Sequence, residues 1–178
     1  MNSNLKRVAI FGMESTGKTT LAKELAEHFG EPWSPEFVRE FWDLRGGKIL
    51  AADLGTIALG QMANEDQATA QAKRVVFYDT ELLTCTIWDD VLFPGECPAW
   101  VRAEAERRAR LMSLWLLCDT DIPFAADPQR SFPDAAGREK GRRLSREALE
   151  KRGLPLVEIR GDRTTRRAAA IAAVEEIL

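Results

Sequence analysis

The stretch Val8-Ala9-Ile10-Phe11-Gly12-Met13-Glu14-Ser15-Thr16-Gly17-Lys18-Thr19-Thr20-Leu21 decides how the rest of the chain is read. Its middle, Gly12 to Thr19, fits the spacing G-x-x-x-x-G-K-[ST] of a phosphate-binding loop. Before it runs an apolar, strand-like segment from Leu5 to Phe11; after it Leu21, Leu25 and Phe29 recur at helical spacing, with Gly30 as a stop. Strand, loop and helix in that order surround an anion with backbone N–H groups, because glycine lets the loop curl and the helix adds the positive end of its dipole. Lys18 then supplies a point charge for the outer phosphates, and Thr19 a hydroxyl for the Mg²⁺ that accompanies a nucleoside triphosphate. Gly12, Glu14, Ser15, Thr16, Gly17 and Thr20 complete the expected nucleotide contacts.

Working outward, Pro32 to Ser34 reads as a short second strand. Pro35-Glu36-Phe37-Val38-Arg39-Glu40-Phe41-Trp42 follows as a loop becoming a helix, with Pro35 in the first turn and Gly46-Gly47 at the end. The Ala-rich segment from about Asp53 to Lys73 reads as one long helix, and Arg74 to Tyr78 as a strand ending on Asp79-Thr80. A charged helix is expected from about Pro98 to Arg110, then a strand from Leu111 to Cys118 ending on Asp119. Asp121 to Gly137 holds three prolines and no periodicity; with the basic helix after it, from about Arg138 to Lys151, it reads as a lid over about 121–145. Leu154 to Ile159 gives a last strand, and Thr164 to Leu178 a final helix with Ile171, Val174 and Leu178 on one side. Alternation of this kind implies one α/β domain over 1–178, with a mostly parallel five-stranded sheet covered by helices on both faces.

Composition narrows the functional classes. A net charge of −3 gives no support to non-specific nucleic-acid or membrane attachment. Three cysteines without a C-x-x-C pair, and a single histidine, His28, supply no structural zinc site and read as reduced thiols and a surface residue. No window has the shape of a signal peptide or a membrane span, so a soluble cytoplasmic protein is expected. Oligomeric state is not legible.

Ligands of open parallel sheets bind beyond the carboxyl ends of the strands. That rule gathers Glu36, Arg39 and Glu40, then Asp79 and Thr80, then Asp119 and Asp121, then Gly161 and Asp162, around the phosphate loop. Asp79 is the candidate second acid of the site, holding Mg²⁺ directly or through water; its plain alternative is a strand-ending turn or helix cap. Glu36 is a candidate general base for a substrate hydroxyl, a role Asp79 also fits; the plain alternative is a first-turn acid favoured by the helix dipole. Arg130, inside the lid loop, is the expected guanidinium over the triphosphate, with Arg138 or Arg142 as a second and the remaining lid arginines solvated. Of five tryptophans, Trp115 reads as core, while Trp42 and Trp88 flank the cleft segments and suit stacking on a planar, cationic ring, with simple packing as the plain alternative.

Taken together, these segments resemble the NadR-type ribosylnicotinamide kinase domain, within the AAA-like NTPases. The resemblance is carried by Gly12 to Leu21, by Pro35-Glu36-Phe37-Val38-Arg39-Glu40 and by Ile57-Ala58-Leu59-Gly60-Gln61. Asp79-Thr80 with Leu82 to Thr86, and Asp121-Ile122-Pro123-Phe124-Ala125-Ala126-Asp127-Pro128-Gln129-Arg130, extend it. It implies a three-layer P-loop kinase fold and transfer of the γ-phosphate of ATP, with Mg²⁺, to the 5′-hydroxyl of nicotinamide riboside. The matched positions make Glu36, Arg39, Gln61, Asp79 and Asp127 the expected substrate contacts, and the family's aromatic hold on the pyridinium ring adds Trp42 and Trp88; Gly161, after the last strand, is an expected nucleotide contact by the strand-end rule. Phe124 stands where the family pattern has tryptophan, and the regulatory helix-turn-helix and adenylyltransferase domains of longer relatives have no counterpart in these segments. Two other readings keep the phosphate loop: a kinase for another nucleoside or nucleoside monophosphate, and a regulatory ATPase whose only acceptor is water.

Overall fold

A computed structural model of the chain describes residues 4–125, 129 and 134–178. Three apolar runs form the middle of the sheet as β1 (Lys6–Gly12), β3 (Val75–Asp79) and β4 (Leu114–Cys118), flanked by β2 (Trp33–Ser34) and β5 (Leu156–Ile159). The order is β2-β3-β1-β4-β5 with every pairing parallel. The central strands read as unbroken hydrophobic runs because both of their faces are covered.

Strand alternation divides the core. Val8, Ile10, Val75, Phe77, Leu114 and Leu116 face one side, where they meet α1 (Lys18–Phe29) and α7 (Arg163–Glu175) through Leu21, Leu25, Ala170 and Val174. Ala9, Phe11, Val76, Tyr78, Trp115 and Leu117 face the other and pack with Ala68, Leu83, Ala109 and Leu149. These four come from α3 (Leu54–Gln71), α4 (Leu82–Leu92), α5 (Ala99–Ala109) and α6 (Ala135–Glu150). The result is the expected helix, sheet, helix sandwich. Trp115 is fully buried and meets Phe11 edge-on at 5.0 Å, and His28 is exposed, as the sequence suggested.

Several boundaries differ from the sequence reading. Pro35 lies ahead of α2 (Phe37–Leu44), whose N-cap is Glu36 in extended backbone, so the proline is not in the first turn. The segment from Leu82 to Leu92, given no element in the sequence reading, is a helix whose start is capped by the Glu81 carboxylate accepting from Leu83 N at 2.6 Å. α6 begins inside the segment expected to be loop, because Asp134 accepts from Gly137 N at 2.8 Å and starts the helix there. α7 ends at Glu175, which leaves Leu178 exposed beyond the helix instead of on its buried side with Val174. No helix among the described residues is long and apolar enough to cross a membrane.

Candidate active site

The loop after β1 lies between the ends of β3 and β4, since Ile10 pairs with Asp79 and Gly12 with Cys118. A Cβ at Gly12 would sit 2.6 Å from the Cys118 carbonyl oxygen, so only glycine lets the loop leave the sheet here. Ser15 and Gly17 continue the turn with φ of 57° and 80°, and Lys18 opens α1. Thr16 Oγ1 and Lys18 Nζ donate to the Met13 carbonyl at 2.7 and 2.8 Å, closing the loop on itself. Glu14 and Lys18 border the neighbouring cleft, while Gly17 and Thr20 face outward.

Behind the loop stands a residue that sequence reasoning missed. Arg166, on α7 and 6% exposed, donates to Thr16 O (2.9 Å), Gly161 O (2.7 Å) and Asp119 O (2.9 Å), and pairs with the Asp121 carboxylate. Asp121 also accepts from Gly161 N at 2.7 Å, so Gly161 is built into this anchor at the end of β5. Asp119 accepts from Arg160 at 2.8 Å, and Asp162 caps α7 by accepting from Thr165 N at 2.8 Å. Arg138 donates to the carbonyls of Thr120 and Ile122 at 3.2 and 3.1 Å, and Ala125 N donates to Ser15 Oγ at 2.8 Å, tying the segment after β4 to the phosphate loop. Arg142 pairs with Glu139 at 2.8 Å. Arg130 and Asp127 lie outside the described residues.

On the other side, Thr19 Oγ1 donates to Asp79 Oδ2 at 2.5 Å. The second oxygen, Asp79 Oδ1, is buried with no hydrogen-bond partner among the described residues. Burial, and then the charge of Glu36, push the Asp79 carboxyl up to about 6, against the pull of Lys18 and Thr19. A buried carboxylate oxygen left bare is costly, and a hydroxyl beside it completes a pair of hard oxygen donors. Thr19 and Asp79 therefore fit a Mg²⁺ ion, which takes few protein ligands when phosphate oxygens supply the rest. No cluster of three or more metal-binding side chains occurs among the described residues, as a site of this type does not need one.

Next to this pair opens a cleft of about 360 Å³ whose lining includes Glu36, Trp42, Gln61, Trp88, Asp89 and Phe93. Glu36 is an N-cap by position but makes no side-chain cap; it accepts from Arg39 Nε at 3.1 Å, and Arg39 also reaches Gln129 Oε1 at 3.3 Å. Glu40 is exposed, away from this lining. Trp42 from α2 and Trp88 from α4 border the same space, as their flanking positions suggested. Asp89, beside Trp88 and 6% exposed, is a second acid of the cleft that sequence reasoning missed. Burial raises its carboxyl, while the Cys97 thiol and Arg102 draw it back down. Thr80 and Thr84 also line the cleft, and their buried Oγ1 atoms lack partners among the described residues, leaving polar atoms available to a ligand.

A phosphate loop at the end of the central strand of a parallel sheet, with a hydroxyl and an acid placed for an ion, defines a P-loop nucleotide-binding protein. The chain belongs to the AAA domain family AAA_28, whose pattern matches residues 7–166. It is 30% identical over 159 residues to the trifunctional NAD biosynthesis/regulator protein NadR of Escherichia coli (strain K12), covering 87% of this chain and 38% of that one. The Salmonella typhimurium protein of the same name is 29% identical over 160 residues, at 88% and 38% coverage. The chain thus spans about 38% of the length of these relatives. A crystal structure of NadR protein in complex with NR superposes with a TM-score of 0.81 at 23% identity, over 98% of this chain and 50% of that one. Deoxyadenosine kinase from M. mycoides, with products bound, gives 0.63 at 15% identity, over 96% and 99%. These likenesses agree with the P-loop kinase fold read from the sequence.

Proposed function

We propose that the chain, as one kinase domain over 1–178, transfers the γ-phosphate of ATP to the 5′-hydroxyl of nicotinamide riboside, giving nicotinamide mononucleotide and ADP in NAD salvage. The observation that carries this reading is the acid- and tryptophan-lined cleft that meets the phosphate loop at Lys18. A protein that only hydrolyses or switches on nucleotide has no use for a second ligand pocket. Glu36 and Asp89 suit a cationic ring, and Trp42 and Trp88 offer it aromatic faces. The names of the NadR relatives, and the NR in the complex of similar fold, support the same substrate. The likeness to deoxyadenosine kinase keeps another nucleoside as the second reading.

The residues divide the work. The loop from Gly12 to Thr20, with Glu14, Ser15, Thr16 and Gly17, cradles the triphosphate, and Lys18 holds its outer oxygens. Gly161 borders the nucleotide from the end of β5. Thr19 and Asp79 would hold Mg²⁺, which would neutralise charge on the phosphate oxygens. Glu36, open to the cleft, takes the proton of the 5′-hydroxyl as that oxygen bonds to the γ-phosphorus and the bond to the ADP oxygen breaks. Arg39 pairs with Glu36 and borders the same acceptor space, and Gln61 lines it too; Asp127 and Arg130 lie outside the described residues, and the resemblance of their segment supports them as a substrate contact and as a cation for phosphoryl transfer. Free thiols at Cys85, Cys97 and Cys118 suit a cytoplasmic setting.

The test is coupled ADP release with Mg²⁺-ATP, comparing nicotinamide riboside, other nucleosides and no acceptor. Equal yields of ADP and nicotinamide mononucleotide, only with nicotinamide riboside, are expected. A stronger response to another nucleoside moves the assignment to that substrate, and ADP release indifferent to every acceptor overturns the kinase reading.

A further inference from the structure

Beneath the cleft, a group of buried polar side chains spends its hydrogen bonds on the protein itself. The Gln61 amide, 1% exposed on α3, accepts at Oε1 from Phe37 N at 3.0 Å. Its Nε2 donates to Thr80 O and to Glu65 Oε1, each at 3.3 Å. Phe37 N follows directly on Glu36, and Thr80 directly on Asp79. One neutral amide thereby ties the two segments that carry the proposed base and the proposed ion ligand.

The sheet alone does not set their spacing. β2 and β3 share only two register pairs, Trp33 with Phe77 and Ser34 with Tyr78, and beyond them both chains leave the ladder. Asn64 adds an exposed bond to Pro35 O at 3.3 Å, and Gln61 gives a buried connection. An amide has one accepting and one donating end, so its orientation decides whether the tie holds. Two acceptors on one side and one N–H on the other satisfy a single orientation. Glu65, 1% exposed, supplies one of those acceptors and is itself held by Arg108 Nη1 at 3.0 Å. Arg108 is fixed in turn by Asp66 at 2.8 Å and Glu104 at 2.9 Å.

We propose that Glu65 and Arg108 are positioning residues for phosphoryl transfer, which act through the orientation of the Gln61 amide to fix the separation of Glu36 from Asp79. This rests on the reading of the cleft as the acceptor site. Neither residue borders the cleft, so they act on geometry and not on affinity. Small displacements of reacting groups cost up to about 100-fold in rate, whereas binding contacts elsewhere are kept.

Three variants test it: Glu65→Gln, which sets an NH₂ against either Arg108 or Gln61; Gln61→Met, which keeps the length of the side chain and removes its hydrogen bonds; and Arg108→Lys, which keeps the charge. Turnover is measured for each, with thermal melting to confirm folding. E65Q is expected to lose about tenfold in kcat with KM for ATP and nucleoside within about twofold. R108K is expected to lose less than E65Q, and the double variant Q61M/E65Q is no slower than Q61M alone, since both act through one amide. Losses in KM alone, or multiplicative losses in the double variant, overturn the proposal. Exchange of the Phe37 amide, followed by NMR on the same proteins, needs no substrate. It quickens in E65Q if Glu65 orients Gln61, whichever nucleoside is the acceptor, and unchanged exchange sinks the proposal while leaving the kinase reading to the ADP assay.

Discussion

The two sides of the candidate site are fastened by different chemistry. The phosphate loop is held from behind by one guanidinium, that of Arg166, which reaches three backbone carbonyls and a carboxylate. The acceptor side is held by the neutral amide of Gln61, between a backbone N–H and a carbonyl. Each device matches what it must join. A turn whose N–H groups are turned toward an anion leaves carbonyls behind it, and a rigid fork of donors satisfies several at once. Two strand-end segments that present one donor and one acceptor need a group that is both. The phosphate side is thus fixed by charge and the acceptor side by orientation, and each should fail in its own way.

The comparison breaks first if the charge at the loop is dispensable. Lys18→Ala is expected to lower kcat/KM by at least about 1,000-fold with melting temperature nearly unchanged; coupled ADP release and a thermal melt check both. Retention of activity within tenfold would show that the loop cation does not carry transfer.

Asp79→Asn should lose about 100-fold or more in turnover and yet melt higher. The carboxyl sits near 6 in the fold against an ordinary 3.8, so the folded chain binds the extra proton between those values. The cost of burying the ionised form is therefore fully present above pH 6 and is relieved as pH falls toward 4. It amounts to about 2–3 kcal/mol. Melting of D79N and the parent at pH 5 and pH 8, both without metal or nucleotide, should show the gap widening at the higher pH. A D79N protein that melts lower at pH 8 contradicts the burial argument.

Arg166→Met separates the two anchors. It should raise KM for ATP by about 10- to 100-fold and destabilise the fold by roughly 3 kcal/mol, with kcat at saturating ATP changed less. Equal losses in kcat at unchanged KM would mean that the loop anchor also sets the acceptor geometry. The smallest effect belongs to Asp89→Asn, where about a fivefold rise in KM for nicotinamide riboside and none for a neutral nucleoside is expected from loss of one buried charge facing a cation. An equal rise for both would assign Asp89 to packing.

The sequence was most legible where the site is contiguous. Gly12 to Thr19 carry their own geometry, and the strands are marked by apolar runs that only a doubly covered sheet needs. The place of Asp79 at the end of β3 is legible because the strand-end rule needs only the end of an apolar run. α4 was missed because Leu82 to Leu92 is apolar around much of its circumference, and because its cap is Glu81 and not one of the short polar residues that announce a helix start. Asp89 was lost with it. Arg166 sits in Arg163-Thr164-Thr165-Arg166-Arg167, where nothing local separates a buried arginine from its exposed neighbours. Gln61 was picked out as a substrate contact; it does border the cleft, but its amide hydrogen bonds go to Phe37, Glu65 and Thr80. Glu65 lies one turn on along α3, but Phe37 and Thr80 lie outside that helix, and no spacing along the chain encodes them.

The anchor on Arg166 also has a consequence in time. Thr16 and Arg166 are 150 residues apart, so during synthesis the phosphate loop emerges from the ribosome long before its fastening does. At ~5–20 residues per second the interval is roughly 8–30 s. Through that interval the motif has its sequence but not its support, and ligand binding lends stability only to a fold that can hold the ligand. ATP therefore becomes a stabilising ligand of the nascent chain late, once α7 has been made and packed.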